Sequence, residues 1–110
     1  MALESSIVKS IRDRLKKLGI DVEKTHGGLY GTGGKADLYC LIPVHYQVYP
    51  VPVYLEVKQP GKESTQLQLA WAAKKRNIGA IVAEVHSLRE ALEVIMDVQD
   101  RVYRVPEEPE

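Results

Sequence analysis

With 110 residues, 45% of them hydrophobic and 27% charged, the chain has the size and composition of one ordinary globular domain. Disordered, collagen-like and disulfide-scaffold architectures are excluded, as is a deep cleft between two domains. Fifteen basic residues balance fifteen acidic ones, but unevenly: residues 1–24 and 25–78 carry net charges of +2 and +3, and residues 79–110 carry −5, giving a basic upstream surface and an acidic downstream one.

In chain order, Leu3, Ile7, Val8, Ile11, Leu15 and Leu18 recur at helical spacing, with Arg12, Arg14, Lys16 and Lys17 mostly on the opposite side. Gly19 is placed to end this helix as its C′ residue. Residues 26–34, HGGLYGTGG, hold five glycines and are expected to form a turn or a short strand. Residues 36–42, ADLYCLI, predict a strand; residues 43–52 predict a Tyr/Pro-rich connection, and residues 53–58, VYLEVK, a second strand paired with the first as a hairpin. Thr65 begins a helix with Leu67, Ala70, Trp71 and Ile78 expected inward, and Gly79 ends it. Residues 80–85, AIVAEV, predict a short buried strand, and Ser87-x-x-Glu90 reads as a capping box opening a last helix with Leu88, Ala91, Leu92, Ile95 and Val98 inward. The order α-β-β-β-α-β-α predicts an α/β sandwich with a central mixed sheet. Residues 1–105 form one domain in this reading and residues 106–110, PEEPE, an acidic tail.

Cys40 is the only cysteine, so an internal disulfide is excluded and a reducing, cytoplasmic setting is expected. His26, His45 and His86 are too scattered to make a recognisable zinc motif with it. The opening residues carry charge too often for a signal peptide or a membrane span.

Gly31-Thr32-Gly33-Gly34-Lys35-Ala36 fits G-x-G-x-x-A, but a strand-like segment follows where a dinucleotide fold needs a helix. A Walker A loop fails too, with Leu29 in place of its first glycine and Ala36 in place of its Ser/Thr. The informative residues are the ionisable ones inside apolar strands, Asp37, Glu56 and Lys58, because buried charge must be paired or bound to a metal. Strand alternation puts Glu56 and Lys58 on one face, with Val53, Leu55 and Val57 on the other. A hairpin would bring Asp37 to the same place. Two carboxylates and a backbone carbonyl supply the hard oxygens that Mg²⁺ or Mn²⁺ prefers, and a nearby ammonium can orient water and stabilise charge on a phosphate. From the spacing alone, a solvated edge strand with Asp37 beginning a turn remains equally open.

Gly34-Lys35-Ala36-Asp37, then Glu56-Val57-Lys58, Pro60-Gly61 and a helix starting Thr65-Gln66-Leu67-Gln68 together resemble the VRR-Nuc branch of the PD-(D/E)XK nuclease superfamily. The match runs from Glu4 to about Ile95 and departs at Ala36, which replaces the proline of the superfamily motif. The resemblance implies a restriction-endonuclease-like fold and a Mg²⁺- or Mn²⁺-dependent DNA endonuclease. Asp37, Glu56 and the Val57 carbonyl would hold the metal, Lys58 would be the catalytic lysine, and Glu4 and Gln68 would complete the site, Glu4 directly or through water. Glu4 lies on the core-facing stripe of the first helix but also suits its dipole, and Thr65-x-x-Gln68 also matches a capping box. Both uses stay open for each residue.

Lys35 and Lys62 flank the site and are expected to grip phosphates. Tyr46 and Tyr49 could stack on bases, contact a second subunit or pack on their own sheet. Stand-alone VRR-Nuc proteins of viruses and bacteria resemble junction resolvases, which implies a homodimer cutting branched DNA such as four-way (Holliday) junctions, in a bacterial or phage-infected cell. The alternatives are a flap nuclease, a non-catalytic nucleic-acid-binding module that keeps the fold, and a protein-interaction domain using the Tyr/Pro loop.

Overall fold

The computed structural model describes residues 3–25 and 36–101. They form α1 (Glu4–Lys17), β1 (Asp21–Lys24), β2 (Leu38–Ile42), β3 (Val51–Val57), α2 (Gln66–Asn77), β4 (Ile81–Val85) and α3 (Leu88–Asp100). The sheet order is β1-β2-β3-β4. The first two pairings are antiparallel and β3–β4 is parallel, with α2 as the crossover, so the expected mixed α/β sandwich is the observed one.

Alternation along the strands sets the two layers. Val22, Leu38, Cys40, Ile42, Val53, Leu55, Val57 and Val85 face a core filled by Ile7, Val8, Ile11 and Leu15 of α1 and Ala91, Ile95 and Val98 of α3. Each fully buried leucine, isoleucine or valine here contributes about 1.5–3 kcal/mol relative to exposure. The other face, carrying Tyr54, Glu56 and Val82, is overlaid by α2 at its β3–β4 end.

Glycine ends two helices as its permissive backbone allows. Gly19, at φ 77°, closes α1 with bonds from Gly19 N–H to the Lys16 carbonyl and from Ile20 N–H to that of Leu15, both 3.0 Å, the paired pattern of a Schellman motif. Gly79, at φ 94°, closes α2 in the same way onto Arg76 and Lys75.

Four local expectations change. The first strand is Asp21–Lys24, upstream of the glycine-rich segment. Only Val22 of its four residues is buried, so the polar tetrapeptide forms a strand because β2 offers it an edge. β3 begins at Val51 despite Pro52. Even-numbered N–H groups of β3 point toward β4, as Lys58 shows by bonding to the Val85 carbonyl at 2.9 Å, and β4 starts only opposite Val53. The donor that Pro52 lacks would therefore face no strand. In α2 the expected apolar face does not go inside: Leu67 and Ile78 are exposed, and Ala72 is the buried residue of the helix. Finally, Ser87 caps α3 by accepting from Glu90 N–H at 3.1 Å, but the Glu90 carboxylate turns to His86 Nδ1, 3.2 Å away, instead of closing the box. The glycine-rich turn, His26, Lys35 and the acidic tail at 106–110 lie outside the described residues.

Candidate active site

β3 lies between β2 and β4, so the edge-strand reading of its charged residues falls. Glu56 is 6% exposed and Lys58 8%. The β2–β3 register pairs Leu38 with Leu55, and continuing it by one residue sets Asp37 opposite Glu56. The hairpin thus delivers the carboxylates to one face, as alternation requires.

Asp37 sits just before β2 and is fixed from two sides. Its carbonyl accepts from Thr25 N–H at 3.1 Å, while the Thr25 hydroxyl donates to the Ala36 carbonyl. Its Oδ2 accepts from Val57 N–H at 2.8 Å, so the aspartate caps the β2–β3 ladder just ahead of the first residue of β2. Because N–H and C=O of one strand residue point to the same side, the Val57 carbonyl also faces Asp37.

Around Glu56 the polar partners converge. Lys58 Nζ stands 3.8 Å from its Oε1, and Gln68 Nε2 donates to the same oxygen at 2.8 Å. The Gln68 amide is oriented by the helix start: its Oε1 accepts from Thr65 N–H at 2.9 Å, and Gln68 N–H donates to Thr65 Oγ1 at 3.2 Å. The complete capping box turns the acceptor end of the amide to the backbone, which leaves the donor end for Glu56. The two uses of Gln68 are one arrangement.

Burial pushes the Glu56 carboxyl from 4.5 up to about 8, and the negative charges of Asp37, Glu4 and Glu84 push the same way against Lys58. A buried site with more carboxylate than counter-charge is suited to a cation, and its oxygens are the hard donors that Mg²⁺ or Mn²⁺ takes. No three His, Cys, Asp or Glu side chains among the described residues are grouped to hold a metal ion. The hard oxygens brought together here are two carboxylates and the Val57 carbonyl, and Glu4, half-buried at the start of α1, adds negative charge toward Glu56.

Lys62 is exposed in the turn between β3 and α2. Trp71 is half-buried, stacked edge-on against Tyr54 at 4.9 Å with Lys75 Nζ 5.5 Å from its ring, and does not join the main core. The Tyr46 hydroxyl donates to the Val98 carbonyl at 3.2 Å, tying the loop down, while Val48 and Tyr49 are exposed at its tip. Burial pushes the Cys40 thiol up to about 12, so it stays protonated and chemically quiet. Sequence reasoning missed Glu84, the parallel-strand partner of Glu56. A signal was present: Glu84 interrupts the apolar run AIVAEV much as Glu56 interrupts VYLEVK.

A mixed sheet between helices, with an aspartate at the start of one hairpin strand and E-x-K at the end of the other, defines a nuclease-fold α/β domain. Among solved structures, a VRR_NUC domain matches with a TM-score of 0.67 and 26% sequence identity, over 84% of this chain and 94% of that one. The resemblance to the VRR-Nuc family read from the residues therefore holds in the fold as well. No family sequence model matches the chain, and no curated protein sequence does.

Proposed function

We propose that this domain is a Mg²⁺- or Mn²⁺-dependent DNA endonuclease that acts on branched DNA. The observation that carries the reading is the meeting of Asp37, Glu56, Lys58 and Gln68 on one face of the sheet, with Glu56 buried amid like charge. Asp37, Glu56 and the Val57 carbonyl would hold the metal, and Glu4 would support it through water. When bound, the metal supplies Lewis-acid stabilisation of a phosphodiester and lowers the pKa of water.

The chain's own residues do the remaining work. Lys58, kept by Glu56 at the end of β3, orients the attacking water and offers positive charge to the phosphate as negative charge grows on it. Gln68 holds the Glu56 carboxylate in one orientation through its amide N–H. Asp37 is braced by the Val57 backbone, so the two acids cannot drift apart without breaking the β2–β3 ladder. Lys62 and Lys35 would grip phosphates and position the strand without reading its sequence.

A two-fold homodimer would present two such sites to two strands of a four-way junction, with the exposed Val48-Tyr49 loop tip available as a contact surface. No helix among the described residues is long and apolar enough to cross a membrane, and a cytoplasmic setting suits the lone buried cysteine.

The test is incubation of the purified chain with flap, splayed-arm, hairpin and four-way-junction DNA in Mg²⁺ or Mn²⁺, with mapping of the cuts. Asp37→Ala and Glu56→Ala should abolish cleavage while retaining or improving DNA binding, because a source of phosphate repulsion is removed. Lys58→Ala should bind metal without cutting, and full activity in that variant would overturn its assignment. Paired symmetric nicks, with light scattering at about twice the chain mass, support the resolvase form. A monomer nicking one strand of a flap would replace it with a flap nuclease.

A further inference from the structure

The turn joining β3 to α2 carries Lys62 and leads directly into the helix start that orients Gln68. Its internal bond, from Lys62 N–H to the Gln59 carbonyl at 3.0 Å, shapes the turn without tying it to the sheet. Side-chain ties come from β4 and the start of α3.

Glu84 is the register partner of Glu56 on the parallel strand β4, so both side chains leave the sheet on the α2 side. The Ser64 hydroxyl donates to Glu84 Oε1. The other oxygen, Oε2, stands 3.6 Å from His86 Nε2, and Nδ1 of the same ring is 3.2 Å from Glu90 Oε1 in the first turn of α3. A continuous row, Glu90–His86–Glu84–Ser64, thus runs from α3 to the residue before Thr65, the N-cap of α2.

We propose that Glu84, braced by His86, is a positioning residue of the nuclease site: by holding Ser64 it sets where α2 begins, and so where Gln68 meets Glu56. The kinetic part of this inference rests on the nuclease reading; the structural part does not.

The physical reason is the weak seating of α2. Ala72 is its buried residue, so core packing does not dictate the position of the first turn. Trp71 against Tyr54 holds the middle of the helix, and Arg76, donating to the Val82 carbonyl at 2.7 Å, holds its end. The first turn depends on its polar ties. A displacement of about 1 Å there would stretch the 2.8 Å bond between Gln68 and Glu56 past hydrogen-bonding length, and misplacements of that size lower rates by roughly ten- to a hundredfold.

Ser64→Ala and Glu84→Ala are each made alone and combined with Gln68→Ala in the full chain, and assayed on branched DNA with Mn²⁺. Each single variant should lower kcat about tenfold with little change in KM, and each should add less than about twofold once Gln68→Ala is present, because residues acting through one group are non-additive. In parallel, the side-chain amide resonances of Gln68 in the metal-free protein should move in Glu84→Ala toward those of an exposed glutamine. Multiplicative losses in the Gln68→Ala background, or unmoved Gln68 resonances, would overturn the proposal. A wild-type chain that never cuts DNA would sink the nuclease reading, and the resonances would then decide the positioning role alone.

Discussion

Replacing Glu56 by glutamine should stabilise the metal-free protein at and above neutral pH. In the fold this carboxyl titrates at about 8 instead of 4.5, chiefly because burial penalises its anion and secondarily because Asp37 repels it; unfolding returns it to the ordinary value. Between those values the unfolded chain has released a proton that the folded chain keeps. Stability therefore falls as pH rises from about 4.5 through about 8 and levels off above that. With each pKa unit of difference contributing a little over 1 kcal/mol, the loss reached by pH 7 is on the order of 3 kcal/mol, and a smaller further loss, on the order of 1 kcal/mol, follows by pH 9. Glutamine keeps the shape and an acceptor for Gln68 but carries no charge, so the variant should lack this slope.

Thermal melts of both proteins in chelator from pH 6 to pH 9 measure the difference. For a domain of this size 1 kcal/mol moves Tm by roughly 4–8 °C. His86, raised chiefly by its bond to Glu90, also withdraws stability as pH climbs above its ordinary range, but it does so in both proteins and cancels. Excess Mn²⁺ should raise the wild-type Tm most at high pH, where the cation no longer competes with a proton, and should barely move the variant. Parallel pH curves, or a variant less stable than wild type at pH 9, would refute the account of a buried, charge-crowded carboxyl.

Glu4→Gln should raise the Mn²⁺ concentration needed for half-maximal cleavage with Tm unchanged; a stability loss of about 0.3–1 kcal/mol with unchanged metal dependence would confine Glu4 to the helix dipole. Lys62→Ala should weaken binding about equally across DNA sequences and reduce the slope of log K against log salt by about 1, measured by fluorescence anisotropy. Leu55→Ala, at a fully buried position of β3, should cost about 2–5 kcal/mol in urea unfolding, and a loss under about 1 kcal/mol would contradict its place in the core.

Local chemistry made much of the fold and site readable in advance. Gly19 and Gly79 ended helices because positive φ is a property of the residue itself. The hairpin and the shared face of Glu56 and Lys58 followed from a period of two, and Asp37 followed from pairing the two strands. Thr65-x-x-Gln68 was visible as a capping box from local spacing, whereas its second use came only from the family resemblance, because the amide reaches Glu56 across a gap that no local rule spans.

Residues whose role depends on a distant neighbour were not legible. Asp21–Lys24 has no strand pattern of its own and is recruited by β2. The apolar residues of α2 matched an inward stripe, yet Leu67 and Ile78 stayed exposed, because the helix covers one end of the sheet and meets it through Ala72 and Trp71. Glu84 entered the site only when the α2 crossover set β4 parallel to β3 and placed it beside Glu56. Periodicity and capping are written within a few residues of chain, whereas the register between strands 28 residues apart is chosen by the packing of the whole sheet. The neighbours that give a charge its function belong to that second kind of information.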